Sequence, residues 1–202
     1  MKKITSILLT LIMSTSMIIA GNPFFEESKQ PHGTFPFNEL KNEHFMPALE
    51  EAIKQHNAEI DAIINNPAKA TFENTIVALE RSGKMYSRVL TIFFALNSAE
   101  TNDEMQALEQ QIIPIITEHG NTISLNEKLF ARVKEVYSQK DKLKLTVEQQ
   151  MLLKNTYESF ANNGADLSAE KKEVYKKLSQ DLSMATTQFA QNSLKETNSY
   201  SL

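Results

Sequence analysis

A hydrolytic zinc site needs three protein ligands and an open position. Its usual sequence form is two histidines one helical turn apart, with a glutamate base beside the first. The sequence holds four histidines, His32, His44, His56 and His119, and no cysteine. They are followed by Gly33, Phe45, Asn57 and Gly120, so H-E-x-x-H does not occur. No two are four residues apart, so no single helix face can chelate with a pair. His56 and His119 lie on apolar stripes and read as packed or half-exposed core histidines. His44, just inside the first helix, reads as a helix-end hydrogen-bonding residue, and His32 lies in a proline-bearing arm.

Other chemistries fare no better. There is no Gly-x-Ser-x-Gly elbow, no Ser-x-x-Lys with its companions and no thiol. Carboxylate pairs such as Glu26-Glu27 and Glu50-Glu51 are adjacent, so on a helix they point to different azimuths and read as solvated surface. No glycine-rich phosphate loop is present, and Phe93-Phe94 reads as core. The residues therefore assign no catalytic, cofactor-binding or metal site to this chain.

The elements that would position any site are helical. Phe45, Leu49, Ile53 (or Ala52), His56, Ile60 and Ile63 recur at three or four residues and stop before Asn65-Asn66-Pro67. Thr71 reads as the cap of the next helix. From it Phe72, Ile76, Leu79, Gly83, Tyr86, Leu90, Phe93 and Asn97 trace one stripe about seven turns long. Thr101 and Glu104 read as a capping box ahead of Met105, Leu108, Ile112, Ile115 and His119, with a kink expected at Pro114. Asn126 caps a short helix, Thr146 and Gln149 form a second capping box, and that helix stops near Gly164. Ser168 caps the last helix, whose stripe runs through Tyr175, Leu178, Leu182, Ala185, Phe189 and Asn192. The reading is all-α, with about six helices and no strand.

Composition bounds the partners. Lys and Arg number 21 against 25 Asp and Glu, for a net charge of −4 and a pI near 5.6, which argues against nucleic acid. Zero cysteine excludes disulfides and an acylated lipoprotein anchor. Lys2 and Lys3 precede an apolar run centred on residues 7–13, followed by small residues at Ala20-Gly21, which reads as a cleaved secretory signal peptide. An uncleaved anchor is the alternative, but three Thr and three Ser in that stretch make it a poor span. Cleavage leaves a mature charge of −6 and an exported protein, periplasmic in a Gram-negative cell, with no membrane attachment. The organisation expected is residues 1–20 signal peptide, 21–40 extended arm and 41–202 helical domain, incomplete at its C-terminal end.

Five strings at consistent spacing carry a resemblance. They are Phe35-Pro36-Phe37-Asn38 with Lys41 and His44-Phe45-Met46-Pro47-Ala48; Thr71-Phe72-Glu73-Asn74-Thr75 with Leu79-Glu80-Arg81-Ser82-Gly83; Ser98-Ala99-Glu100-Thr101-Asn102-Asp103-Glu104; Leu129-Phe130-Ala131-Arg132-Val133; and the spaced set Leu178, Leu182, Phe189, Asn192 and Thr197. Together they resemble the opening of bacterial peptidyl-dipeptidases and oligopeptidases of the thimet oligopeptidase family. The resemblance implies the N-terminal helical lobe of a two-lobed, mostly helical, neurolysin-like zinc metallopeptidase, with a deep channel that admits short peptides. It implies zinc held by H-E-x-x-H and a downstream glutamate in the C-terminal half, with the motif glutamate activating water. The string Ala99-Glu100-Thr101-Asn102-Asp103 and the leader tilt the reading towards the branch that releases C-terminal dipeptides.

This sequence ends before any zinc motif, so no ligand or base is carried over to it. The chain is expected to bind no zinc and to be inactive alone, its missing partner being the catalytic half. The alternative is a stand-alone helical peptide-binding or interaction module of the same descent. The last helix discriminates: if its stripe packs within the chain a self-sufficient module is possible, and if it is exposed another part of the enzyme should cover it. Exposure is the expectation.

Overall fold

The computed structural model describes residues 21–200; the leader expected over residues 1–20 and the last two residues lie outside them. Among the described residues there is no strand, and the fold is all-α. The described residues form seven α-helices in order: α1 Phe45–Ile64, α2 Ala78–Arg81, α3 Lys84–Ala99, α4 Asp103–Ser124, α5 Glu127–Tyr137, α6 Val147–Asn162 and α7 Ala169–Ser199. No helix among the described residues is long and apolar enough to cross a membrane.

The long stripe expected from Phe72 to Asn97 is broken in two. Thr71 does cap its start, accepting from the Asn74 amide at 3.1 Å while Asn74 accepts from the Thr71 amide at 2.8 Å. The first run winds as a π-helical turn over Phe72–Val77 and closes with α2. Ser82 then goes extended and Gly83 takes φ 68°, left-handed, before α3 begins. That conformation is open to glycine and costs other residues about 1–2 kcal/mol. The apolar spacing passes straight through the turn, because spacing counts residues and not dihedral angles.

The start of α4 also differs from expectation. Asn102, not Thr101, takes the capping role: its Oδ1 accepts from the Met105 amide at 2.9 Å. The Thr101 hydroxyl is occupied elsewhere, donating to Asn97 Oδ1 at 2.8 Å. Asn102→Ala is therefore expected to cost about 1 kcal/mol in urea unfolding, and Thr101→Ala about half that or less. A larger loss for Thr101 would return the cap to it. Elsewhere the caps fall as read: Asn126 accepts from the Leu129 amide, Thr146 and Gln149 close their box, and Ser168 accepts from the Lys171 amide. Pro114 sits inside α4, which continues through it to Ser124.

The chain divides into two compact units. In the first, the described residues up to Gln55 join Gly83–Met105. Its core is a phenylalanine ladder: Phe24 meets Phe35 at 4.8 Å and Phe45 at 5.6 Å, and Phe45 meets Phe93 edge-on at 5.1 Å. Phe24, Phe45 and Phe93 are all buried, each contributing roughly 1.5–3 kcal/mol. The segment 21–40, expected as an extended arm, takes single 3-10 turns at Pro31–Gly33 and Phe37–Glu39. Polar bonds hold its beginning down. Buried Asn22 donates to the His44 carbonyl at 2.9 Å and accepts from the Phe24 amide at 3.1 Å, and Arg88 donates to the Phe24 carbonyl.

The second unit joins His56–Ser82 to the residues from Gln106 onward. Its core gathers Ile60, Ile63, Phe72 and Ile76 with Leu129, Phe130 and Val133 of α5 and Leu153 and Phe160 of α6. Phe130 stacks on Phe160 at 5.7 Å, and Tyr137 on Tyr157 at 4.0 Å. Arg132 ties α5 to the connection after α1, donating to the carbonyls of Asn66 and Ala68 and to Asn74 Oδ1. Lys172, buried at the start of α7, pairs with Glu127 at 2.9 Å.

Helix α7 lies on α4 through polar contacts. Gln180 donates to the Pro114 carbonyl at 3.0 Å, and Thr117 donates to Ser183 Oγ at 3.0 Å. Gln191 donates to the Gln106 carbonyl and to Glu109, and accepts from Gln110. The apolar stripe of α7 is exposed, at 61% for Leu178, 68% for Leu182 and 75% for Phe189.

Candidate functional site

The sequence places His56 and His119 on separate helices, 63 positions apart, and the fold brings them together. His56 stands on α1 at the start of the second unit, and His119 stands near the end of α4, one turn past the Pro114 region. His119 Nε2 is 3.0 Å from His56 Nδ1, and the rings meet edge-on at 5.0 Å. His56 Nε2 is 3.1 Å from Ser82 Oγ, and that hydroxyl donates to the Leu79 carbonyl at 2.7 Å. These bonds fix the protons. Ser82 spends its hydrogen on Leu79, so it accepts from His56 Nε2–H; His56 Nδ1 is then an acceptor, and His119 Nε2–H donates to it.

A wire of that polarity requires a neutral His56, whose Nδ1 must accept, whereas His119 can donate from Nε2 in either charge state; the surroundings favour the neutral form of both. Burial pushes His119 down to about 4, with the adjacent His56 adding to the effect. Burial also lowers His56, while Glu59 pulls the other way. An imidazolium at either ring would face desolvation and a neighbouring positive charge.

Ser82 also edges an open cleft of about 390 Å³ whose walls include Glu59, Ile63, Asn66, Asn74, Ala78 and Arg81. Much of its polar lining already serves the fold. Asn74 holds Thr71, Thr75 and Arg132, and the Asn66 carbonyl takes Arg132. Arg81 is exposed and offers a donor fork suited to a carboxylate. Ser82 meets the His56 imidazole at the cleft's edge, but it accepts from that ring and donates to Leu79, so its hydroxyl is not activated as a nucleophile.

The remaining histidines stand apart. His44 Nδ1 accepts from the Lys41 amide at 3.1 Å, the helix-end bond expected of it, and burial lowers its pKa. His32 is exposed in the Pro31–Gly33 turn with φ 58°. The meeting of His56 and His119 escaped the sequence reading. The available signal was that each lay on the inward stripe of its own helix, which says that both are inside but not that they touch.

Comparison with known proteins supplies what the geometry lacks. No family model matches the chain. The chain is 39% identical over 173 residues to dipeptidyl carboxypeptidase of Escherichia coli strain K12, which is 86% of this chain and 25% of that protein. It is 26% identical over 165 residues to oligopeptidase A of Haemophilus influenzae, covering 82% of this chain and 24% of that protein. A thimet-like oligopeptidase of Dictyostelium discoideum is 23% identical over 154 residues, covering 74% and 23% respectively. Over that stretch the chain is similar to peptidases of the thimet oligopeptidase family. It spans about a quarter of the length of the curated relatives it matches.

The resemblance to that family implies zinc, and the described residues do not fit the ion. His56 and His119 are bonded to one another and to Ser82. Among the described residues no group of three His, Cys, Asp or Glu side chains could hold a metal. No step of the family's hydrolysis is therefore routed through these residues.

Proposed function

We propose that this chain is the N-terminal part of an exported zinc-dependent peptidyl-dipeptidase. It supplies helices to the wall that restricts access to the substrate channel, while the zinc ligands and the catalytic base belong to the rest of the polypeptide. The observation that carries this reading is the contrast in identity, 39% to a dipeptidyl carboxypeptidase against 26% to an oligopeptidase A over nearly the same stretch. Two lysines ahead of the apolar run at residues 7–13 support export. Short peptides ending in a free carboxylate are the substrates this reading requires.

The test joins this chain to the remaining three quarters of the Escherichia coli relative, in place of that protein's own matched quarter. The chimera is expected to release dipeptides from an N-blocked tetrapeptide with a free C-terminus and not from its C-terminal amide, as read by mass spectrometry. The chain alone is expected to release none, and the cellular product is expected in the periplasmic fraction without residues 1–20. Cleavage of the amide at a comparable rate would move the assignment to the endo-acting branch. Chelator-sensitive hydrolysis by the chain alone would overturn the division of labour.

A further inference from the structure

The cleft beside Ser82 is built from two short walls within the second unit. Glu59, Ala62 and Ile63 come from the last turns of α1, with Asn66 just beyond, and Ala78 and Arg81 come from α2. At steps of three or four residues, each set shares one face of its helix. Two contacts fix how the walls run. His56, about one turn before Glu59, meets Ser82 at 3.1 Å, so the Glu59 end of one wall lies beside the Arg81 end of the other. At the opposite end Arg132 bridges the Asn66 carbonyl and Asn74 Oδ1. The walls are therefore antiparallel, and the cleft has an order along its length of about 10 Å. Charges of both signs stand at one end, Ala62, Ile63 and Ala78 line the middle, and an amide closes the other end.

Its polar groups keep capacity for a ligand. Arg81 is exposed, and none of the described residues accepts from its guanidinium. Asn66 Oδ1 accepts from the Ala68 amide at 3.0 Å, which leaves its NH2 group to donate. Glu59 is exposed, and a carboxylate has about four acceptor positions, so bonds within the protein do not exhaust it.

We propose that this cleft binds a free α-amino acid with an apolar side chain. Such a molecule carries its ammonium and carboxylate on one carbon, which matches the opposite charges gathered at one end of the cleft. The planar fork of Arg81 takes the carboxylate and Glu59 takes the ammonium. The side chain then lies along Ala62, Ile63 and Ala78. A volume of about 390 Å³ stands near the lower end of the range for small-molecule sites, about 300–1,000 Å³, and suits a ligand of this size. A ligand that is only anionic is disfavoured by the Glu59 charge beside its anchor. The assignment does not rest on the functional reading above, because its test uses this chain without the rest of the enzyme.

The test titrates L-leucine into the ¹⁵N-labelled chain and follows amide shifts by two-dimensional NMR. Saturable shifts are expected with a Kd of about 1 mM, centred on residues 59–66 and 78–82. Leucinamide lacks the carboxylate, N-acetyl-leucine lacks the ammonium, and glycine lacks the side chain; each is expected to bind at least tenfold more weakly. Arg81→Gln should weaken leucine binding at least tenfold. Ala78→Leu, which fills the floor, should abolish it, and Ala62→Leu, at an exposed position, repeats that test without touching the core. Far-UV circular dichroism at the parent value shows that each variant folds. No saturable shift at ten times the expected Kd would overturn the proposal, as would shifts centred outside the cleft. So would N-acetyl-leucine binding as tightly as leucine, because Arg81 would then be reading a carboxylate alone. Tighter binding of leucyl-leucine than of leucine would overturn it too, since the site would then want its two charges further apart.

Discussion

Replacing His119 by glutamine is expected to flatten the acid side of this chain's stability profile. In the folded chain His119 takes up its proton only near pH 4, whereas the unfolded chain does so near the ordinary value of 6.5. Between those limits the unfolded state binds the extra proton, so stability falls as pH falls. One proton of difference is worth about 1.4 kcal/mol per pH unit, and about 3 kcal/mol accumulates across the window. Glutamine can present an N–H to His56 Nδ1 as His119 does, and it does not titrate. His119→Gln should therefore keep near-parental stability at pH 7 and lose about 3 kcal/mol less than the parent by pH 4. The measurement is the urea midpoint of both proteins at several pH values. Parallel profiles would show that the histidine pair does not govern acid unfolding.

Phe45→Ala is expected to cost about 3–5 kcal/mol, the usual range for emptying a buried phenylalanine site. Its ring contacts Phe24 on one side and Phe93 on the other, at 5.6 and 5.1 Å. Removing it separates the segment around Phe24 from α3, so proteolysis within residues 22–37 should accelerate alongside the fall in urea midpoint. A loss below about 1 kcal/mol with unchanged proteolysis would mean that the ladder closes over the gap.

What could be read in the sequence follows physical locality. Caps were legible because an Asn126 or a Thr146 must find its amide three residues on, within its own segment. The capping box at Thr101 failed for the same kind of reason: two neighbouring side chains could do the job, and Thr101 was claimed by Asn97. The break at Gly83 is a dihedral event that leaves the apolar spacing intact, so the periodicity ran through it. The leader and its export lie outside the described residues. As for chemistry, the absence of H-E-x-x-H is plain in the sequence. The His119–His56–Ser82 wire depends on three elements far apart in the chain, and local pattern carries no information about such a meeting. Arg132 and Lys172 were invisible likewise, since each is defined by partners 45 or more positions away.

The polar seam between α4 and α7 has a further consequence. Apolar contacts fix that two helices touch, but they tolerate sliding and rotation; the hydrogen bonds that Gln180 and Gln191 donate and that Ser183 accepts from Thr117 tolerate little of either. A slip of α7 by one residue would swing Leu182 and Phe189 through about 100°. The seam thus acts as an indexing device, setting the compass bearing of the outward stripe before anything meets it. A surface held at one bearing gives up less orientational entropy on association than one free to turn.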